Sequence, residues 1–99
     1  MRAAAAWVEA LVQGDSDTAR LMLCTGGLDA FPDGQALQAE FDRVAGGGET
    51  APSIVGVERR GDRDRVLFVG RDASDGPVAF RVSVLVAPYG RSICGFSAA

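Results

Sequence analysis

The stretch GGGETAP at residues 46–52 separates two halves of the chain that have different hydrophobic patterns. Before it, apolar residues recur at the three- and four-residue spacing of helices, and after it they alternate with the two-residue period of strands. Helices followed by strands are typical of an α+β domain in which helices pack across one face of an antiparallel sheet. The 99 residues, of which 47% are hydrophobic, predict a single domain spanning 1–99 with one modest core.

The first half of the chain predicts three helices. The first spans Ala3–Gln13, and the second lies between Gly14 and residues 22–24. The stretch Cys24–Gly27 then breaks the chain, and a third helix begins near Asp33, which is a plausible N-cap. The apolar stripes expected to face the sheet are Ala4, Trp7 or Val8, and Leu11 in the first helix, and Leu37, Phe41 and Val44 in the third.

The second half predicts four antiparallel strands. Their expected ranges are 53–59, 65–71, 78–87 and 91–97, joined by turns at 60–64, 75–76 and 88–90. The third strand alternates most clearly, with Val78, Phe80, Val82, Val84 and Val86 on one face and Ala79, Arg81, Ser83, Leu85 and Ala87 on the other. A four-stranded sheet with one apolar face needs a cover, which the helices would supply.

The composition excludes several kinds of chemistry. The chain contains no histidine, so it lacks the usual general base and the commonest metal ligand. It also contains no lysine, and its net charge is −3. Residues 1–50 carry three arginines and eight acidic side chains, whereas residues 51–99 carry seven arginines and five acidic side chains. We therefore expect no metal site, no cofactor and no catalytic residue.

The sequence predicts no transmembrane segment, because no apolar run approaches the roughly 18 residues that cross a bilayer. The start, MRAAAAW at residues 1–7, lacks the apolar stretch of a secretory signal. It is typical of a domain taken from a longer chain, so we expect this sequence to be part of a larger protein.

The two cysteines lie in different halves of the chain, Cys24 in the helical half and Cys94 in the last strand. A bridge between them would close a loop of about 70 residues, which the chain-entropy relation values at about 4 kcal/mol. Such a bridge suits a small domain in an oxidising compartment. The alternative is two buried free thiols in a cytosolic protein. The absence of histidine argues against a metal-binding or nucleophilic role for either thiol.

Two polar motifs have ordinary structural explanations. Arg60-Gly61-Asp62 spells the integrin-binding tripeptide, but Gly-Asp at the tip of a hairpin needs no receptor to explain it. The acidic set near the third helix could supply an acid–base pair, although capping and solvated helix faces explain it more simply. That set is Asp29, Asp33, Glu40 and Asp42.

The arginines of the second half and the aromatic residues of both halves each predict a surface or a core. The arginines of the second half predict the solvated side of a half-exposed sheet, or one side of a contact with an acidic protein. Because acidic residues are interspersed and exposed aromatics are lacking, nucleic-acid binding is not expected. This set contains six of the seven arginines: Arg59, Arg63, Arg65, Arg71, Arg81 and Arg91. The aromatic residues of both halves predict either a filled core or, between helices and a curled sheet, a ligand pocket.

Several short motifs resemble those of NTF2-like domains. They are AWVEAL at residues 6–11, the Gly14-Asp15 step, the Leu23-Cys24 pair and the closing GRSIC at residues 90–94. The chain is similar in particular to the small lumazine-binding-like, or cystatin-like, α+β domains of actinobacterial secreted, lipid-anchored or membrane-tethered proteins. This resemblance implies a curved four-stranded antiparallel sheet covered on one face by about three helices.

The resemblance implies an interface on the sheet, but it assigns no catalytic residue to this chain. Ketosteroid isomerase-like and polyketide cyclase-like relatives use a pocket aspartate with tyrosine, aspartate or histidine partners, whereas the only tyrosine here, Tyr89, falls in a predicted turn. The stretch SIVGV at 53–57 lacks the glutamine of the hairpin by which cystatins inhibit proteases. Relatives often dimerise through the sheet, which implies an interface at Arg81, Ser83 and Leu85.

These features predict a non-catalytic, extracytoplasmic binding or scaffold domain of a larger secreted or membrane-tethered protein. Its expected partner is another protein or a second copy of itself. The alternative is a protein of the same superfamily that holds a small apolar ligand or has isomerase- or cyclase-like activity. Its pocket, between helices and sheet, would be lined by Trp7, Phe41, Phe68 and Phe80, and an enclosed apolar space of about 300 Å³ or more would favour it.

Overall fold

The structure, a computed structural model, describes residues 2–48, 50–87 and 90–99. Four helices precede four strands, which confirms the α+β class. The elements are α1 (Arg2–Val12), α2 (Ser16–Leu21), α3 (Thr25–Ala30), α4 (Gly34–Ala45), β1 (Ser53–Arg60), β2 (Arg63–Arg71), β3 (Pro77–Ala87) and β4 (Gly90–Ala98).

The ends of α1 and α4 follow from local sequence. After α1, Gly14 adopts φ +80°, and the Asp15 amide donates to the Ala10 carbonyl over 2.8 Å, which closes the last turn. Asp33 caps the start of α4, and its side chain accepts a hydrogen bond from the Ala36 amide at 2.8 Å. The helix ends at Gly46, whose φ of +82° is the left-handed conformation that glycine adopts most readily.

The structure corrects the number of helices from three to four. The stretch expected to break the chain after Cys24 instead forms α3. A Cβ added to Gly27 would lie 3.1 Å from the Leu23 Cβ and 3.5 Å from the Ile93 carbonyl oxygen, so glycine lets this helix approach β4 closely. The helix therefore depends on a tertiary contact that outweighs the poor helix propensity of two glycines.

The four strands form one antiparallel sheet in the order β1-β2-β3-β4. Each strand is one or two residues longer than expected. Strands β1 and β2 extend because the hairpin between them turns over Gly61 and Asp62 alone, with Arg60 opposite Arg63. The register shifts between Ile54 and Gly56 in β1 and at Cys94 in β4, as β-bulges do. The expected turn at 88–90 lies partly outside the described residues, since Pro88 and Tyr89 are not among them.

The core lies between the helices and one face of the sheet. As expected, Phe80, Val82 and Val84 are fully buried on the helix side of β3. The helices lie mainly over β3 and β4, whereas the main packing partner of β1 is β2. The opposite face of the sheet has no covering element among the described residues. The core is made of Ala4, Trp7, Val8, Ala10, Leu11, Ala19, Leu23, Leu37, Phe41, Val44, Ala45, Val66, Phe68, Phe80, Val82, Val84 and Ile93.

Candidate functional site

The four aromatic residues expected to line a pocket are packed against one another. Trp7 and Phe41 meet edge to face with their ring centroids 5.8 Å apart, and Phe41 meets Phe80 in the same way at 5.6 Å. Phe68 stacks on Phe80 at 5.2 Å. These are the offset and edge-to-face arrangements that aromatic rings prefer in a filled core.

The space beside these rings is small. A concavity lined by Val12, Phe41 and Phe80 holds about 10 Å³, which is room for about one water molecule. Pockets for small ligands usually enclose about 300–1,000 Å³. In this structure Trp7, Phe41, Phe68 and Phe80 therefore serve as core, and the concavity at Phe41 and Phe80 gives no support to a ligand pocket there.

The two cysteines form a disulfide, with their Cα atoms 5.2 Å apart. Backbone hydrogen bonds support the same junction, because the Cys24 amide donates to the Ile93 carbonyl and the Ile93 amide donates to the Met22 carbonyl, each over 2.9 Å. The segment around Leu23 thus pairs in parallel with β4 at Ile93. The bridge joins the helical half to the last strand, and neither sulfur is a free thiol.

Three of the four acidic residues near α4 have partners on their own helix. Asp33 caps α4, and the Asp42 carboxylate accepts a hydrogen bond from Gln38 at 3.0 Å. The Arg43 guanidinium donates to the Glu40 carboxylate and lowers the pKa of Glu40. The fourth, Asp29, is exposed near the end of α3. Local structure therefore explains this set without an acid–base pair.

The Arg60-Gly61-Asp62 motif is also explained by the fold. Gly61 has φ +61° at the first position of the β1–β2 turn, where a hairpin turn of this kind favours glycine. The Asp62 carbonyl accepts a hydrogen bond from the Val86 amide at 2.7 Å, and the Arg60 guanidinium donates to Glu58 over 2.6 Å. The motif thus has structural roles in the hairpin.

The face of the sheet turned away from the helices, here called the open face, carries the expected interface residues. It consists of Arg65, Leu67, Arg81, Ser83, Leu85, Gly95, Ser97 and their neighbours on the same side of the sheet. Arg65 lies opposite Ser83, which lies opposite Gly95, and Arg81 lies between Leu67 and Ser97. Arg65 and Arg81 are therefore diagonal neighbours, within reach of a shared ligand.

A shallow groove of about 300 Å³ runs across this part of the open face. This basic groove is lined by Arg65, Arg81, Ser83, Gly95, Phe96 and Ser97. Of the three expected interface residues, it brings Arg81 and Ser83 together, whereas Leu85 lies farther along the sheet, opposite Arg63 and Ser92. Arg65 belongs to the arginines that the sequence assigns to the solvated side of the sheet, whereas Gly95, Phe96 and Ser97 could have been found only from the register between strands.

The electrostatics of the basic groove favour an acidic ligand. Within the described parts of the chain, neither Arg65 nor Arg81 forms a salt bridge. The pKa of nearby Glu58 is lowered, chiefly by the hydrogen bond from Arg60 and also by the charges of Arg65 and Arg81. Guanidinium groups bind carboxylates through two parallel hydrogen bonds, and the two serine hydroxyls can donate further ones. This arrangement suits recognition rather than proton transfer.

Two classes of site have no counterpart among the residues that the structure describes. No three side chains of Cys, Asp or Glu lie close enough together there to hold a metal ion. Nor does any described helix have the length and apolar character needed to cross a membrane.

We compared the chain with known protein families, with characterised protein sequences and with solved structures, and none of the three comparisons gave a match.

Proposed function

We propose that this chain is a non-catalytic binding or scaffold domain that contacts a protein partner through its open face. The observation that carries the proposal is the basic groove, in which Arg65 and Arg81 point away from the core. Neither forms a salt bridge with a described residue, although Glu58 lies opposite Arg65 on the neighbouring strand. Charges that are unpaired in the isolated protein and concentrated on one exposed surface steer and select a partner of opposite charge.

Charge also favours an acidic partner over a face-to-face dimer. In a two-fold dimer each open face would meet its own copy, so two basic grooves would be brought into one interface. Like charges placed together across an interface are unfavourable. An acidic protein surface meets the same groove without this cost. Self-association through Arg81, Ser83 and Leu85 is therefore the second form of the proposal.

We further propose that the domain works outside the cytoplasm, as part of a larger secreted or membrane-tethered protein. The disulfide between Cys24 and Cys94 supports this, because such bonds persist mainly in oxidising compartments. A relationship to NTF2-like or cystatin-like domains remains a proposal, supported by the motifs quoted above and by the packing of helices on one face of an antiparallel sheet.

Titration with a short, soluble peptide of glutamates, followed by NMR chemical shifts of the backbone amides, tests the role of the open face. We expect the shifts to cluster at Arg65, Arg81, Ser83 and Ser97 and to fade as salt is added. Arg65→Glu should remove them. The matched control is Arg2→Glu, which makes the same change of charge on the helical half and should leave them unchanged. Shifts confined to the helices, or no shifts at low salt, would contradict the proposal.

Sedimentation velocity distinguishes the two forms of the proposal. If two copies meet through the open face, the wild-type protein associates as its concentration rises, and Leu85→Asp keeps it monomeric without unfolding it. Thr25→Asp, on the exposed start of α3, is the control that should associate like the wild type. A wild-type protein that stays monomeric excludes self-association and leaves the acidic partner.

A further inference from the structure

Among the described residues, the outer edge of β4 is paired only at Ile93. The segment at Leu23 pairs with Ile93, and the chain then leaves the edge to begin α3 at Thr25. Beyond Cys94, the structure describes no backbone partner on this edge of the strand. The last residues of β4 therefore present an open strand edge, which is a template for pairing with another extended chain.

The hydrogen-bonding pattern shows which groups point outward. The Ala99 amide donates to the Ala79 carbonyl on β3 over 3.0 Å. Because backbone groups alternate in direction along an antiparallel strand, Ser97 also bonds toward β3, whereas Phe96 and Ala98 point to the open edge. The edge thus offers two amide donors and two carbonyl acceptors to an incoming strand.

A cleft of about 190 Å³ lies beside this edge on the helix side of the sheet. This edge cleft is lined by Leu23, Ala30, Phe31, Phe96, the glycines of α3, Cys94 and Gly95. Its one charged lining residue is Glu40, whose carboxylate accepts hydrogen bonds from Arg43. Phe31 stacks on Phe96 with their ring centroids 5.8 Å apart, so the floor of the cleft is aromatic. Gly26 has no atom within 4 Å of an added Cβ position, so one side of the cleft faces open space.

The other side of the same edge meets the basic groove, because Gly95 and Phe96 line both the groove and the edge cleft. Neighbouring strands lie about 4.8 Å apart, so a strand added to β4 would lie about 10 Å from β3. An Arg81 side chain can extend over the small Ser97 to reach a carboxylate at that distance. A strand at this position would therefore face apolar surface on one side and arginine on the other.

We propose that an extended protein segment of alternating apolar and acidic residues binds as an additional strand on the free edge of β4. Its backbone bonds to Phe96 and Ala98, its apolar side chains enter the edge cleft, and its acidic side chains reach Arg81. The alternation follows from the geometry of a strand, whose successive side chains point to opposite faces. This inference deepens the proposed function and rests on the open face as its binding surface.

The other free edge, on β1, is a poorer site for such a strand. It is interrupted by the bulge between Ile54 and Gly56, and its second half carries Glu58, Arg59 and Arg60. Bulges and charged residues are features that protect edges from pairing. The main packing partner of β1 is β2, and no helix makes extensive contact with β1.

Amide hydrogen exchange read by NMR tests the edge directly. In the free protein, the amides of Phe96 and Ala98 should exchange quickly, whereas that of Ser97 is protected by β3. The probe is a capped peptide of roughly eight residues, the usual length of a strand, in which glutamate and valine alternate. On binding, Phe96 and Ala98 should become protected by about tenfold or more. A peptide of the same composition with its glutamates and valines in separate blocks should not protect them.

Two variants at one position isolate the backbone contact. Ala98→Pro removes an amide that makes no hydrogen bond to β3, so the protein should stay folded while its affinity for the alternating peptide falls by about fivefold or more. Ala98→Val keeps the amide and should bind like the wild type. Two charge-reversal variants give a second test. Arg81→Glu should weaken binding of the alternating peptide by about tenfold, whereas Arg63→Glu, farther from the edge, should change the binding little.

The outcomes separate this inference from the proposed function. Shifts on the open face without protection of Phe96 and Ala98, and without an effect of Ala98→Pro, would overturn the strand proposal and leave the acid-binding face intact. Protection on β1 instead of β4 would also overturn it. If neither peptide shifts any amide of the open face at low salt, both the inference and the proposed function are wrong.

Discussion

Gly34 is a glycine that is required because neighbouring atoms approach it closely, and not because of its backbone conformation. Gly34 is the first residue of α4 and is buried against the start of α2. A Cβ added there would collide with the Asp17 carboxylate and lie 3.0 Å from the Asp17 backbone nitrogen and the Ser16 hydroxyl. The sequence shows only a glycine after an N-cap, which any small residue could replace.

Gly34→Ala should lower the free energy of unfolding by about 1–3 kcal/mol, because α2 and α4 must separate to admit the methyl group. Urea denaturation measures the loss. Gly26→Ala is the matched control, since it lies in α3 with no atom within 4 Å of the added group. That variant should be neutral or slightly more stable, because alanine favours helix. Equal losses in the two variants would show that Gly34 is not a close contact.

Asp64 is a charged residue buried on the helix side of the sheet, with 7% of its surface exposed. It lies opposite Arg59, whose guanidinium donates two hydrogen bonds to its carboxylate, one of them over 3.3 Å. The bond from Arg59 lowers the pKa of Asp64, against the opposing effect of burial. Strand periodicity alone would have assigned this position to a hydrophobic residue.

The contribution of Asp64 to stability should depend on pH in a defined direction. Its folded pKa lies below the unfolded one, so its stabilisation is complete above about pH 4 and is lost as the pH falls through the folded value. Asp64→Asn should therefore be less stable than the wild type at pH 7, with a difference that shrinks at acid pH. Denaturation midpoints of the two proteins from pH 7 to pH 2 measure this difference in stability. A difference that stays constant would contradict the ion pair.

At the scale of elements, the junction between the helices and β4 combines a covalent bond with a short backbone pairing. The disulfide spans 70 residues of sequence and lies next to the bridge between Leu23 and Ile93. The two cysteines could be paired from the sequence because they occupy elements that must pack together. The backbone pairing of Leu23 with Ile93 could not be predicted from the sequence, because the three residues between α2 and α3 carry no strand pattern.

Replacing both cysteines by alanine should lower the free energy of unfolding by about 2–4 kcal/mol. The loss arises mainly because the unfolded chain regains the freedom of a loop of this length. Guanidinium denaturation of the wild type, with and without a reducing agent, supplies the comparison, and the reduced wild type should resemble the variant. Alkylation of unreduced, denatured wild type should label no thiol. Two labelled thiols would contradict the bridge.

The strands were easier to predict than the helices, for a physical reason. In β3 buried residues alternate with less buried ones from Phe80 to Leu85, because one face is covered and the other is open. Helix α3 is only six residues long and contains two glycines, so its own sequence does not favour a helix. It forms because the backbone pairing of Leu23 with Ile93, just before the helix, and the contact of Gly27 with β4 hold it in place.

At the scale of the whole molecule, one aromatic cluster connects the two layers. Phe41 of α4 touches Trp7 of α1, Phe80 of β3 and Phe96 of β4. Trp7 is itself fully buried. Because both layers share these contacts, neither buries its apolar surface alone, and we expect the domain to unfold in one step.

Phe41→Ala should reduce the free energy of unfolding by about 3–5 kcal/mol, because it leaves a cavity between helices and sheet. Trp7 fluorescence and far-ultraviolet circular dichroism should still give the same midpoint, since both layers lose their contacts together. Leu21→Ala is the control, as that side chain is 79% exposed, and its midpoint should stay close to that of the wild type. Separate midpoints for the two signals would show that the layers unfold independently.

The sequence by itself determined the order of helices and strands, the buried face of β3, the cap of α4 and the two cysteines that can meet. These follow from periodicity and from single-residue preferences, which act over a few neighbouring positions. Only the tertiary structure decided the extra helix, the packing of the four aromatic rings, the basic groove and the free edge of β4. Each of these depends on which strands are neighbours and on where a register shifts, and local preferences do not encode those relations.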